Sequence, residues 1–83
     1  MIYSLKWNPG ALDRIPKEAF SRIIKKIESI IYDPFHYLEH YEGEEVYKLR
    51  IGDYRALLDV DFTNRILKVR IVDHRRRVYK RQF

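Results

Sequence analysis

The stretch 47–55, Tyr-Lys-Leu-Arg-Ile-Gly-Asp-Tyr-Arg, constrains the fold more than any other part of the sequence. It predicts two strands joined by the two-residue turn Gly52-Asp53, because glycine supplies the positive φ that such a turn needs at its first position. The predicted register pairs Arg50 with Arg55. Alternation then places the apolar residues on one face of the hairpin and Lys48, Arg50 and Arg55 on the other.

The three cations on this hairpin indicate a surface that holds an anion. Like charges side by side on a sheet repel one another and are normally avoided, although an ordinary solvated sheet face also carries cations. The whole chain has 17 Lys and Arg against 12 Asp and Glu, a formal net charge of +5. This balance favours a polyanionic partner, with nucleic acid the first candidate and an acidic protein the second.

The first half of the chain predicts one strand followed by helices. Residues 2–7 alternate as a strand, and Asn8-Pro9 opens a turn or short helix that ends before Pro16. A long helix is predicted from Lys17 to about Tyr32, where the residue before Pro34 ends it. Its apolar stripe, at helical spacing, consists of Phe20, Ile23, Ile24, Ile27, Ile30 and Ile31, which we interpret as core packing.

The second half predicts a loop and then a meander. The loop spans 35–45, and three strands are predicted at 46–51, 54–60 and 66–73, with a second turn at 61–65 whose polar tip is Thr63-Asn64.

Strict alternation in the last strand assigns its two faces. It puts Leu67, Val69 and Ile71 on one face and Ile66, Lys68, Arg70 and Val72 on the other, and it turns His74 to the side of Arg70. Arg75 can reach that side only if the strand has ended before it.

The predicted fold is therefore α+β, a single domain over residues 1–83. A small twisted antiparallel sheet, made of the N-terminal strand and the three-stranded C-terminal meander, carries one short and one long helix on one face. The sequence has no apolar run long enough to span a membrane, no signal-peptide layout and no cysteine, from which we expect a cytoplasmic protein. His36 and His40 are four residues apart without a third ligand at convincing spacing, so neither a metal site nor a cofactor is expected.

Three features together resemble the RelE/ParE toxin superfamily. They are the hairpin 47–55, the closing His74-Arg75…Val78-Tyr79, and the opening strand followed by Asn8-Pro9 and a helix that ends at Asp33-Pro34. The resemblance implies a fold similar to that of microbial ribonucleases.

The RelE-like branch of that superfamily implies a specific function. It implies a toxin that enters the ribosomal A site and cleaves mRNA without a metal, through attack of the 2′-hydroxyl on the adjacent phosphate. The implied partners are the ribosome, mRNA and a RelB-like antitoxin, with operator DNA reached only through the antitoxin. Two alternatives stay open: a ParE-like gyrase inhibitor without ribonuclease activity, and a catalytically weak homologue that acts mainly in a repressor complex with its antitoxin.

The same resemblance implies the catalytic residues. Lys48 and Arg50 match the basic pair of the family's second strand, Arg55 its third-strand arginine, Arg75 the arginine after the fourth strand, and Tyr79 the late aromatic residue.

The chemistry of each side chain suits these positions. Arginine carries a permanent charge on a planar fork that fits phosphate oxygens, so the three arginines suit charge stabilisation. Lysine among cations suits proton transfer, which makes Lys48 the proposed base, while Tyr79 suits a base or a stacking group. His74 is a rival acid or base. Further candidates for proton transfer or RNA binding are Arg70, Arg76 and Arg77.

Overall fold

The computed structural model describes residues 2–41 and 46–80, apart from the side chain of Tyr79. In these residues a five-stranded sheet is combined with one α-helix and two short 3₁₀ helices. The elements are β1 (Ser4–Trp7), α1 (Lys17–Ser29), β2 (Glu39–His40), β3 (Tyr47–Ile51), β4 (Tyr54–Asp61), β5 (Ile66–His74), and the 3₁₀ helices Pro34–His36 and Val78–Lys80. The strands lie in the order β1-β5-β4-β3-β2.

The α+β class is confirmed, and so is the antiparallel meander β3-β4-β5. One pairing differs from the prediction. β1 lies beside β5 and runs parallel to it, so the sheet is mixed rather than antiparallel throughout. A parallel neighbour requires a long connection that returns the chain to the same end of the sheet, and the segment containing α1 is part of that connection.

The structure decides the local form of two predicted segments. The segment from Pro9 to Ile15 forms turns, one of the two forms predicted for it, and the short helix of the predicted fold is absent from it; Gly10 has a φ of 78°, which a right-handed helix does not contain. The predicted loop 35–45 contains the second and third residues of one 3₁₀ helix and the two-residue strand β2; its residues 42–45, including Gly43, lie outside the described residues.

The core lies between α1 and one face of the sheet. The helix buries Ala19, Ile23 and Ile27, of which the two isoleucines belong to the predicted stripe. It ends at Ser29, so the predicted end at about Tyr32 is wrong, but Ile30 just beyond that end is fully buried, as the stripe predicts. Fully burying such an aliphatic side chain contributes roughly 1.5–3 kcal/mol. The sheet residues in the same core cluster are Leu49, Ile51, Ala56, Leu58, Leu67, Val69 and Val72. The strand residues that alternate with these core residues lie on the opposite face of the sheet, which we call the open face.

A β-bulge in β5 changes which of its residues reach the open face. Leu58 pairs with Val69 and Leu57 pairs with Ile71, so Arg70 is an extra residue without a partner position on β4. The alternation therefore reverses after Arg70: Val72 joins the core while Ile71 does not.

The prediction that His74 shares a side with Arg70 is consequently wrong. His74 lies opposite Tyr54, whose ring packs against the core on the α1 side.

The turn between β4 and β5 is held by Asp61. Its carboxylate accepts hydrogen bonds from the backbone and side-chain nitrogens of Asn64, and these bonds, the backbone one first, hold the pKa of Asp61 below its ordinary value. Asn64 therefore belongs to the tip of the turn, as predicted. In the described part of the chain, none of the helices has both the length and the apolar composition needed to cross a bilayer.

Candidate functional site: a basic pocket on the open face

A cavity of about 380 Å³ opens on the open face where the hairpin β3–β4 meets the end of β5. Three separate parts of the chain supply its walls. The described residues that line it are Glu39, Lys48, Arg50, Arg55, Arg75 and Arg76. We call this cavity the basic pocket.

The hairpin supplies three of these cations in the register that the sequence predicts. Gly52 has a φ of 59°, as the two-residue turn requires, and Arg50 pairs directly with Arg55. Lys48 lies two residues before Arg50 on β3 and therefore on the same face. The strands thus bring Lys48, Arg50 and Arg55 together.

Arg55 is the most firmly held of the pocket cations. The residue is only 9% exposed, and its Nη1 donates to the carbonyl oxygens of Gly52 and Tyr54, both at 2.7 Å. These bonds orient the guanidinium plane. Because arginine has five N–H donors, others remain for an anion in the pocket.

Arg75 reaches the pocket because β5 ends at His74. Residues 75–77, which we call the closing turn, follow the strand directly. The backbone N–H of Arg75 donates to the carbonyl oxygen of Asp53 at 2.8 Å, and its Nε lies 4.0 Å from Asp53 Oδ1. The turn of the hairpin therefore contacts the closing turn and brings Arg75 beside Arg55.

Glu39 is a pocket residue that the sequence analysis missed. It pairs with Lys48 across β2 and β3, and its Oε2 lies 3.8 Å from Lys48 Nζ. A two-residue strand has no periodicity to detect, so only the polar character of Glu39 was visible in the sequence.

Four other candidates lie outside the pocket or beyond what is described. Arg70 Nε bonds Asp59 Oδ2 at 2.7 Å, and His74 packs edge-on against Tyr54. Arg77 Nε bonds Asp73 Oδ1 at 3.2 Å. The side chain of Tyr79 lies outside the described residues, although its backbone belongs to the last 3₁₀ helix.

The charges of the pocket suit a phosphodiester. The described residues that line it comprise five cations and one carboxylate, and four of the five cations are arginines. Guanidinium groups bind phosphate oxygens bidentately, and such charge-assisted bonds are about twice as strong as neutral ones. No group of three or more His, Cys, Asp or Glu side chains that could hold a metal ion occurs within residues 2–41 and 46–80.

Comparison with known families gives one match, which covers most of the chain. The family described as "ParE toxin of type II toxin-antitoxin system, parDE" matches residues 5–79. The match includes all six pocket residues. The curated proteins contain no match to this chain.

Solved structures share the fold at low sequence identity. The toxin–antitoxin complex RelBE2 of Mycobacterium tuberculosis matches with a TM-score of 0.77 and 18% identity, over 90% of this chain and 100% of that one. The archaeal RelE–RelB complex of Pyrococcus horikoshii matches with a TM-score of 0.69 and 24% identity, over 94% and 100%. A double arginine-to-alanine variant of E. coli RelE in the free state matches with a TM-score of 0.71 and 20% identity, over 95% and 90%.

Proposed function

We propose that this chain, which belongs to the ParE toxin family of type II toxin–antitoxin systems, is a RelE-like endoribonuclease that cleaves mRNA on the ribosome. The observation that carries the proposal is the basic pocket, in which cations from β3, β4 and the closing turn converge. Guanidinium groups gathered in a concave site fit the oxygens of a phosphodiester, which supports RNA as the substrate.

The proposed reaction needs no metal ion. The 2′-oxygen of the nucleotide attacks the adjacent phosphorus and loses its proton, and the 5′-oxygen leaves with a proton, so that a 2′,3′-cyclic phosphate remains. The intermediate carries extra negative charge on the phosphate oxygens. Each well-placed donor to such a charge contributes about 3 kcal/mol in a preorganised site.

The residues have distinct roles in this proposal. Arg55 and Arg75 bind the scissile phosphate, and Arg50 adds charge. Lys48 transfers a proton, a role that typically adds about 10²–10⁴-fold to the rate. Tyr79 positions the nucleotide or deprotonates it.

The partners follow from the same proposal. The solved RelBE2 and RelE–RelB structures are toxin–antitoxin complexes. For this chain we propose a RelB-like antitoxin, with an acidic segment that covers the basic pocket and an amphipathic helix that covers apolar surface. Operator DNA is reached through the antitoxin, and the site of action is the cytoplasm, where ribosomes and mRNA are.

The test is a translation reaction with purified protein in which the mRNA ends are mapped. The wild-type protein should produce cuts within the A-site codon that end in a 2′,3′-cyclic phosphate. The double variant Arg55→Ala, Arg75→Ala should cut at least about 10³-fold more slowly, because two phosphate donors are lost. The control Arg14→Ala, Lys17→Ala removes the same charge from exposed positions distant in sequence from the pocket residues and should leave the rate unchanged. Full cleavage by the Arg55, Arg75 variant would overturn the proposal.

The family match favours one rival function, inhibition of DNA gyrase, because the matching family is that of ParE. This rival predicts loss of supercoiling in a gyrase reaction and intact mRNA in the translation reaction. Running both reactions with one protein preparation separates the two functions.

A further inference from the structure

Asp73 is a buried carboxylate beside the basic pocket for which the proposed reaction has no use. It is 1% exposed and lies opposite Arg55 in the register of β4 and β5. It is the last residue but one of β5, and only His74 separates it from the closing turn. Burying a carboxylate costs several kcal/mol unless its partners offset that cost, so its contacts bear on its role.

Those contacts tie the two ends of the closing turn together. Asp73 Oδ1 accepts a hydrogen bond from the backbone N–H of His74 at 2.7 Å and one from Arg77 Nε at 3.2 Å. The backbone N–H of Arg77 in turn donates to the carbonyl oxygen of His74 at 2.8 Å. The side-chain bond from Arg77 to Asp73 and the backbone bond from Arg77 to His74 therefore close the same loop.

The loop contains two of the residues that line the pocket. Arg75 and Arg76 stand between the two anchored ends, and the backbone N–H of Arg75 is fixed to Asp53. Asp53 follows Gly52, whose carbonyl oxygen holds Arg55. The closing turn thus has one anchor on β5 and one on the hairpin that carries the other cations.

We propose that Asp73 is a positioning residue, which acts with Arg77 to hold the closing turn so that Arg75 meets Arg55 at one phosphate. The inference rests on the proposed nuclease function. It also assigns Arg77 a different role from RNA binding: Arg77 acts through Asp73, and its side chain, 60% exposed, remains outside the pocket.

The kinetic test uses the isosteric variant Asp73→Asn, with ribosomes programmed with one short mRNA. A misplacement of about 1 Å in a catalytic group costs up to about 10²-fold, so kcat should fall about 10–100-fold while KM changes less than twofold. Arg77→Ala should act in the same direction, and Arg77→Lys should recover part of the loss. Because Arg77 is largely exposed, its variants test the proposal even if Asp73→Asn does not fold.

The matched control is Asp59→Asn. It weakens another Arg–Asp pair on the open face, that of Asp59 with Arg70, and it should leave kcat unchanged. If Arg77→Ala instead raises KM and reduces the salt dependence of binding, Arg77 contacts RNA and the proposal is overturned.

Hydrogen exchange separates this inference from the proposed function. In Asp73→Asn and in Arg77→Ala the amides of Arg75 and Arg77 should exchange at least about tenfold faster than in the wild type, with the amides of β3 and β4 unaffected. Unchanged exchange would overturn the positioning role whether or not the protein cuts RNA. If the wild type cuts no mRNA but exchange responds as expected, the nuclease proposal fails and the structural role of Asp73 stands.

Discussion

Arg55 and Arg75 both line the basic pocket, but they differ in their exposure and in how firmly their side chains are held. Arg55 is nearly buried, and two backbone carbonyl oxygens orient its guanidinium group. The side chain of Arg75 is 51% exposed, and its Nε lies 4.0 Å from Asp53 Oδ1. An exposed pair at that distance contributes at most about 1 kcal/mol. Arg55 is therefore preorganised, whereas Arg75 loses side-chain freedom only when an anion binds.

This difference predicts that lysine replaces Arg75 better than Arg55. Arg55→Lys loses the planar fork that bonds the carbonyl oxygens of Gly52 and Tyr54 and still has donors for the proposed phosphate, so cleavage should fall about 10²-fold. Arg75→Lys keeps a charge on a flexible stem, and the expected loss is about tenfold. Single-turnover cleavage rates of the two variants on programmed ribosomes measure the ratio, with Arg14→Lys as the control. Equal losses would contradict the difference in preorganisation.

At the scale of elements, the turn and the register of the hairpin β3–β4 were predictable to the residue, and the outer ends of its strands to within one residue. Its turn, its register and the shared face of Lys48, Arg50 and Arg55 all follow from Gly52-Asp53 and a period of two. These are local signals, because a two-residue turn leaves the two strands a single register. The three cations that the hairpin contributes to the basic pocket could therefore be predicted from the sequence alone.

The elements that were not predictable depend on contacts distant in sequence. The bulge at Arg70 has no sequence signal, since an arginine fits either face of a strand, yet it decides that Asp73 lies on the open face and His74 on the other. β2, which carries Glu39, is too short to show a period. The parallel pairing of β1 with β5 depends on how the chain returns after α1. The bulge, β2 and the pairing of β1 with β5 therefore depend on tertiary packing, which a local sequence pattern does not reveal.

The turn of the hairpin gives a prediction for stability. A Cβ at Gly52 would meet nothing within 4 Å, so Gly52→Ala suffers only from the positive φ and should lower the free energy of unfolding by about 1 kcal/mol. Gly52→Asn should cost less, because asparagine tolerates such turns. Gly10→Ala should cost slightly more than either, because its φ of 78° lies beyond the left-handed range open to other residues and the exposed Asp13 carboxylate, 2.9 Å from the added Cβ, would also have to turn away. Urea unfolding measures the order, and a neutral Gly52→Ala would contradict it.

At the scale of the whole molecule, the two faces of the sheet differ in what covers them. One face is closed by α1 and contains the apolar core, while the open face carries the basic pocket. A chain of 83 residues with a net charge of +5 has modest stability and an unbalanced surface. An acidic partner on the open face would both neutralise that charge and stabilise the fold, which is the thermodynamic expectation for a toxin bound by its antitoxin.

Antitoxin binding should therefore raise the melting temperature in a way that salt weakens. At a free antitoxin concentration of 100 Kd the fold gains about 2.7 kcal/mol, equivalent to a rise of roughly 10–20 °C for a domain of this size. We expect the gain to be smaller in 300 mM NaCl than in 50 mM, because exposed charges are screened. Thermal unfolding with the product of the adjacent open reading frame measures both effects.

A pair of variants locates the antitoxin on the molecule. The double variant Arg50→Ala, Arg76→Ala should reduce the salt dependence, and the control Arg14→Ala, Lys17→Ala should not. An equal response of the two variants would mean that the antitoxin binds away from the basic pocket and inhibits without covering it.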